Sequence, residues 1–244
     1  MSRVPAIVRL ALLALLLAFL ARPDWFAPLL APLTRNNAPA IYNQGSLLSL
    51  AGQHLATVAI ASAAAAVVAI GMAILVTREA GAEFLPLARS IVNVGQTFPP
   101  VAVLALAVPA VGFGERPTLI ALFLYALLPI FENTLAALTS LPHAVMEAAR
   151  GVGMTGWQRL LRVELPLSLP LILAGIRISV VISLATAAIG STVAAKTLGE
   201  VIIAGLLSNN LAFVLQGGLV IAAMAILIHD GLFALERRIA TRRG

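Results

Sequence analysis

Six long apolar runs, at residues 4–21, 55–77, 91–113, 118–138, 167–189 and 213–235, dominate this chain, and most of its charged residues fall in the segments outside them. A helix that crosses a bilayer needs roughly 20 mostly apolar residues, so the pattern predicts six spanning helices. Arg3 and Arg9 flank the start of the first run. Its end, Phe19-Leu20-Ala21-Arg22-Pro23, lacks the small-x-small pattern of a cleaved signal, so a retained helix is expected. The third run contains Pro99, Pro100 and Pro109. Proline removes a helix hydrogen bond, and a local bend in one continuous span is expected. Residues 191–211 form an external connection with a short amphipathic run around Leu198-Gly199-Glu200-Val201-Ile202-Ile203. No internal repeat marks a second domain. Residues 1–54 are assigned to a first helix and the periplasmic segment after it, and residues 55–244 to the main membrane domain.

The basic residues orient these spans. An even number of crossings places both ends on one side. That side collects Arg3, Arg9, Arg78, Arg89, Arg150, Arg159, Arg162, Arg237, Arg238, Arg242 and Arg243, against Arg22, Arg35, Arg116 and Lys196 on the other. Positive residues concentrate in cytoplasmic loops, so both termini and the segment 140–166 are expected in the cytoplasm.

Composition narrows the class further. Hydrophobic residues make up 61% and charged residues 11% of the 244 positions, with mean hydropathy +1.02. Soluble domains carry about 25% charged residues, so lipid is the expected solvent. The net charge of +6 is accounted for by arginines flanking the spans, without nucleic acid. The absence of cysteine excludes disulfide scaffolds, thiolate metal sites and cysteine nucleophiles.

Catalytic patterns are weak. Gly190-Ser191-Thr192-Val193-Ala194-Ala195-Lys196-Thr197 approaches a phosphate-binding loop, but Ala195 stands where the second glycine belongs. His54, His143 and His229 have no metal-ligand spacing. No enzyme activity is expected of this chain. Charges inside the spans are more informative, because each is costly in lipid. Glu132, Arg177 and Asp230 are the candidates. Glu132 and Arg177 are expected to pair across neighbouring helices, and Asp230 to lie near the cytoplasmic face. So few charges argue against a carrier driven by protons or sodium, whose energy enters through such groups.

The segment 141–166 is the most specific part of the chain. His143–Arg150 is a good helix former, ended by Gly151-Val152-Gly153. Thr155-Gly156-Trp157-Gln158 offers a capping box for a second helix, which Pro166 and Pro170 are expected to end before the next span opens. A structured hairpin of this length exceeds what a turn requires and predicts a docking surface.

Glu147-Ala148-Ala149, then Gly153, then Val163-Glu164-Leu165-Pro166 resembles the EAA motif of binding-protein-dependent ABC importer permeases of type I, with Val163 in place of isoleucine. The likeness runs from about Leu55 to Arg238. Gln96-Thr97-Phe98-Pro99-Pro100, Leu128-Pro129-Ile130 and Gly175-Ile176-Arg177 resemble the osmoprotectant branch, although Glu132 stands where that branch commonly has arginine. The resemblance implies an all-α integral membrane fold with six transmembrane helices, both termini cytoplasmic, and a coupling helix between spans four and five. Residues 55–244 would then be the permease domain. It implies an ATPase-coupling loop carried by Glu147, Ala148, Ala149, Gly153, Arg159, Leu165 and Pro166. The implied partners are a cytoplasmic ABC ATPase dimer, a second permease subunit, identical or paralogous, and a periplasmic solute-binding protein, with lipid around the spans. The chain itself needs no cofactor, ATP and Mg being bound by the ATPase. The implied activity is inner-membrane import of glycine betaine, choline or a similar quaternary ammonium solute. A methionine-type amino-acid permease shares the loop, and an ion-coupled secondary carrier is the alternative from another class.

Overall fold

The computed structural model describes residues 6–35 and 37–241, and among them all regular structure is helical. Arg3, Arg242, Arg243 and the expected start of the first span at Val4 lie outside the described residues. The helices are α1 (Ala6–Ala21), α2 (Leu47–Val76), α3 (Leu85–Thr97), α4 (Pro100–Val111), α5 (Glu115–Thr139), α6 (His143–Gly151), α7 (Gly156–Val193), α8 (Gly199–Leu207) and α9 (Leu211–Thr241). Short helical turns occupy residues 23–33.

Four of these, α2, α5, α7 and α9, are long and apolar enough to cross a membrane. The expected continuous span at 91–113 is corrected. α3 stops at Thr97, Phe98 and Pro99 are extended, and α4 begins at Pro100 as the second member of a sharply bent pair. Proline disfavours the helical conformation of the residue before it, and Pro99-Pro100 imposes that twice in succession. The break is capped from α5. The Tyr125 hydroxyl donates to the Phe98 carbonyl, and Gln96 Nε2 donates to the Tyr125 carbonyl at 3.1 Å. Counting the bent pair as one span gives five. α1, with 16 residues, is about 24 Å long at 1.5 Å per residue, short of the roughly 30 Å hydrocarbon layer.

The chain divides into two compact units interleaved in sequence. Residues 61–98, 123–180 and 229–244 form one. Its core sets Ala65, Ala69 and Ala73 of α2 beside Val92 of α3 and Leu127, Ile130 and Phe131 of α5. Alanine at every fourth position strips one side of α2 of bulk, the usual means by which helices approach closely in lipid. Gly95 does the same for α3. A Cβ there would lie 2.3 Å from the Leu124 carbonyl oxygen, so α3 and α5 touch backbone to backbone.

The other unit comprises residues 1–60, 99–122 and 181–228. Its irregular segment around Pro39–Tyr42 is held by side chains from α8, α9 and the turn between them. Asn210 Nδ2 donates to the Pro39 carbonyl at 2.8 Å and Gln216 Nε2 to the Ala40 carbonyl at 2.9 Å. Gln216 Oε1 accepts the Tyr42 N–H at 3.1 Å, and the Tyr42 hydroxyl donates to Glu200 at 2.7 Å. Burial, and then the Glu200 carboxylate that accepts its proton, push the Tyr42 phenol well above its ordinary range.

Candidate functional site

The segment between α5 and α7 is built by local rules. α6 closes with the N–H groups of Val152 and Met154 donating to the Ala148 and Ala149 carbonyls, each at 3.1 Å. Gly153 has φ +77°, a conformation that costs an L-residue about 1–2 kcal/mol, so the chain turns where glycine permits it. Thr155 then caps α7. Its Oγ1 accepts the Gln158 N–H at 3.3 Å, while Gln158 Oε1 accepts the Thr155 N–H at 2.9 Å. Helix, glycine break and capping box all stand where the sequence predicts them.

The expected stop at Pro166 does not occur, and this is a second correction. α7 runs from Gly156 through Leu160–Glu164, which is a π-helix, into Leu165–Thr186 without interruption. A proline ring crowds the carbonyl four residues earlier and donates no hydrogen bond. One wider π turn immediately before Pro166 accommodates both defects, so the loop helix and the long apolar helix are one rod.

Of the predicted coupling residues, Glu147 is exposed and lies 3.5 Å from His143 one turn away. Ala148 is exposed and Ala149 buried. Gly153 is exposed, with no atom within 4 Å of where a side chain would begin. Arg159 is half-buried and donates to the Met154 carbonyl at 3.4 Å, tying the start of α7 to the turn before it. Leu165 and Pro166 are half-buried. Apolar side chains also stand out from the hairpin: Val152 is 73% and Trp157 68% exposed.

Sequence reasoning missed the anchor of this hairpin. Glu164, a spacer position in the motif, is 3% exposed, and its two oxygens take both Arg78 guanidinium ends at 3.2 and 2.5 Å. Arg78 follows the end of α2 and also donates to the Ile74 carbonyl at 3.3 Å. Such forked pairs are directional as well as strong, so the π turn is clamped to α2. The available signal was a carboxylate at the start of an apolar run, matched to an arginine at the end of another.

The expected Glu132–Arg177 pair is also corrected. Glu132 Oε1 meets Arg89 Nε at 3.2 Å, with both side chains about half exposed. Arg177 meets Glu236 of α9 at 3.2 Å and donates to His229 Nε2 at 2.7 Å, with Arg177 and Glu236 largely buried. Phe233 presents its ring face 5.3 Å from the same guanidinium, a favourable cation–π distance. The sequence pattern offered two charges on neighbouring spans. It could not show that α3 and α9 bring nearer counter-ions.

The near phosphate loop is a structural turn. Thr197 is fully buried, and its Oγ1 donates to the Ala187 carbonyl at 3.1 Å and accepts the Gly199 N–H at 3.1 Å. A Cβ at Gly190 would collide with Thr118 at 2.5 Å. This packed turn does not fit a nucleotide phosphate. His54 belongs to the same unit, bridging the Leu184 carbonyl at 2.9 Å and the Leu198 N–H at 3.3 Å.

Several membrane-length helices, two of them joined by an exposed hairpin with a capping box, define a polytopic membrane protein. The family described as "Binding-protein-dependent transport system inner membrane component" matches residues 69–241, which include the hairpin and its Arg78 anchor. The chain belongs to that family. It is 41% identical over 197 residues to the osmoprotectant import permease protein OsmY of Salmonella typhimurium, covering 81% of this chain and 84% of that protein. It is 34% identical over 203 residues to the glycine betaine/carnitine/choline transport system permease protein OpuCB of Bacillus subtilis, covering 82% and 91%. Among solved structures, the inward-facing MetNI methionine ABC transporter shares the fold at TM-score 0.71 and 22% identity, over 79% of this chain and 95% of that one.

Proposed function

We propose that the chain is the permease subunit of an ATP-binding-cassette importer that carries a small osmoprotectant, such as glycine betaine, choline or a related quaternary ammonium solute, across the inner membrane. The family assignment over residues 69–241 carries this reading, and the names of the osmoprotectant relatives supply its substrate class. The likeness to the methionine transporter is one of fold and gives no ground for a methionine substrate. In this reading the spans cross six times, with both ends cytoplasmic and the hairpin of α6 and α7 facing an ATPase. A second permease subunit completes the pathway, and a periplasmic binding protein delivers the solute.

The hairpin is the coupling element. ATP and Mg bind to the ATPase subunits, whose closure pushes on α6. Because α7 is continuous through its π turn, a push at Thr155 reaches the apolar part of the helix without an intervening hinge, and the Arg78–Glu164 clamp passes it to α2. Exposed Glu147, Val152 and Trp157 are the surface the ATPase would meet. Glu147→Lys and Gly153→Asp are expected to leave membrane insertion intact, to weaken co-purification of the ATPase, and to reduce uptake in proteoliposomes at least tenfold. Wild-type uptake by both variants would remove the hairpin from the mechanism.

A further inference from the structure

Along α2 and the middle turns of α9, the large exposed side chains are aliphatic: Ile60, Val67 and Leu75 on α2, and Leu219 and Ile226 on α9, while exposed charges such as Arg237 and Arg238 gather at the end of α9. α3 departs from this. At 3.6 residues per turn its surface divides into three sectors. Ala88, Val92 and Gly95 are buried against the rest of their unit, while Leu87, Ile91 and Val94 form an exposed apolar strip. Arg89, Ser90, Asn93, Gln96 and Thr97 are also exposed, and they fill the remaining sector, about a third of the circumference. Ser90, Asn93 and Thr97 bond back to carbonyls one turn earlier on α3, at 2.9, 2.8 and 2.9 Å. Gly95, pressed against the Leu124 carbonyl, fixes the rotation of α3 and therefore the direction of this sector. Lipid does not cover such a face, because exposed polar and charged groups in hydrocarbon are strongly disfavoured. At its edge stands Glu132 of α5, paired with Arg89 and, like it, half exposed.

Resting on the osmoprotectant reading above, we infer that this sector of α3, together with Glu132, is the hydrated surface along which the permease passes its solute, and that the Arg89–Glu132 pair sets which charge type it accepts. A quaternary ammonium has no N–H to donate and is held by the Coulombic field of a carboxylate, the role of Glu132. A zwitterion such as glycine betaine also presents a carboxylate, which the Arg89 guanidinium receives as a fork. The solute's two charges thus replace the two members of a half-solvated pair. A plain cation such as choline uses Glu132 alone.

The test uses the complete importer, with ATPase and binding protein, in liposomes. Uptake of labelled glycine betaine and of choline is measured for wild type, Arg89→Gln, Arg89→Lys and Glu132→Gln. Arg89→Gln is expected to lower betaine uptake about tenfold, the equivalent of one charge-assisted hydrogen bond, and so to lower the ratio of betaine to choline uptake. Arg89→Lys should recover much of the betaine rate, and Glu132→Gln should slow both solutes. If wild type carries only betaine, both glutamine variants should lose it, and if it carries only choline, Glu132→Gln alone should. An unchanged ratio of the two solutes in Arg89→Gln overturns the inference, whether its rates are unaltered or reduced alike, and so does wild-type uptake of both solutes by Glu132→Gln. Import of neither solute by wild type overturns the osmoprotectant reading instead. Independently of these rates, Asn93→Cys should react with a water-soluble maleimide in the assembled importer while Val94→Cys does not. Protection of position 93 both with and without ATP would show that the sector is not hydrated.

Discussion

At the scale of single residues, the partners chosen by the intramembrane charges set the clearest stability contrast. Arg177 and Glu236 have side chains only 16% and 19% exposed. Removing one member of such a pair leaves the other charged in a low-dielectric setting, a loss on the order of 3 kcal/mol. Arg177→Ala is therefore expected to lower the thermal midpoint of the detergent-purified protein markedly, and Arg177→Leu with Glu236→Leu to restore most of it. Arg89 and Glu132, about half exposed, behave as a solvated pair worth under about 1 kcal/mol, so Glu132→Gln should scarcely move the midpoint. Rescue of Arg177→Ala by Glu132→Leu, rather than by Glu236→Leu, would contradict the observed pairing. Both acids are visible in the sequence, but the distance from Arg177 to each is not.

At the scale of elements, one clamp governs the hairpin. Thr155 and Gln158 start α7, Gly153 turns the chain before it, and both devices act within a few residues. Neither sets the direction in which the hairpin points. That depends on Glu164 and Arg78, which are 86 positions apart in the chain. Arg78→Lys keeps the charge and loses the fork. Arg78→Ala leaves a carboxylate that is 3% exposed without its guanidinium. Hydrogen exchange across residues 156–164 is expected to rise in Arg78→Ala and less in Arg78→Lys, with ATP-driven uptake falling in the same order. If exchange in that segment stays at the wild-type level in Arg78→Ala, the clamp does not hold the π turn.

At the scale of the whole molecule, sidedness follows from where arginine sits rather than from packing. The chain has no cysteine, so single cysteines can be introduced without background. Arg35→Cys and Asn209→Cys should react with an impermeant thiol reagent applied to intact cells. Arg78→Cys, Arg150→Cys and Arg238→Cys should react only after permeabilisation. External labelling at position 150 would invert the orientation and turn the hairpin away from any cytoplasmic ATPase.

The properties that rest on the chain's own neighbourhoods are legible in the amino-acid sequence by itself. Apolar runs imply membrane helices because lipid requires backbone groups to be satisfied within the segment. The hairpin of α6 and α7 is equally readable, since a positive-φ glycine and a capping box involve residues three or four apart. Tertiary structure alone decided the rest. It made the bend that Pro99-Pro100 imposes locally into a full break between two helices, and supplied Tyr125 from α5 to bond the Phe98 carbonyl there. It carried α7 through Pro166 by widening one turn, and it gave Glu132 and Arg177 partners from α3 and α9 in place of each other. Helix–helix register in lipid is set by where small residues such as Ala69 and Gly95 permit backbones to approach, and that choice depends on all neighbouring helices at once.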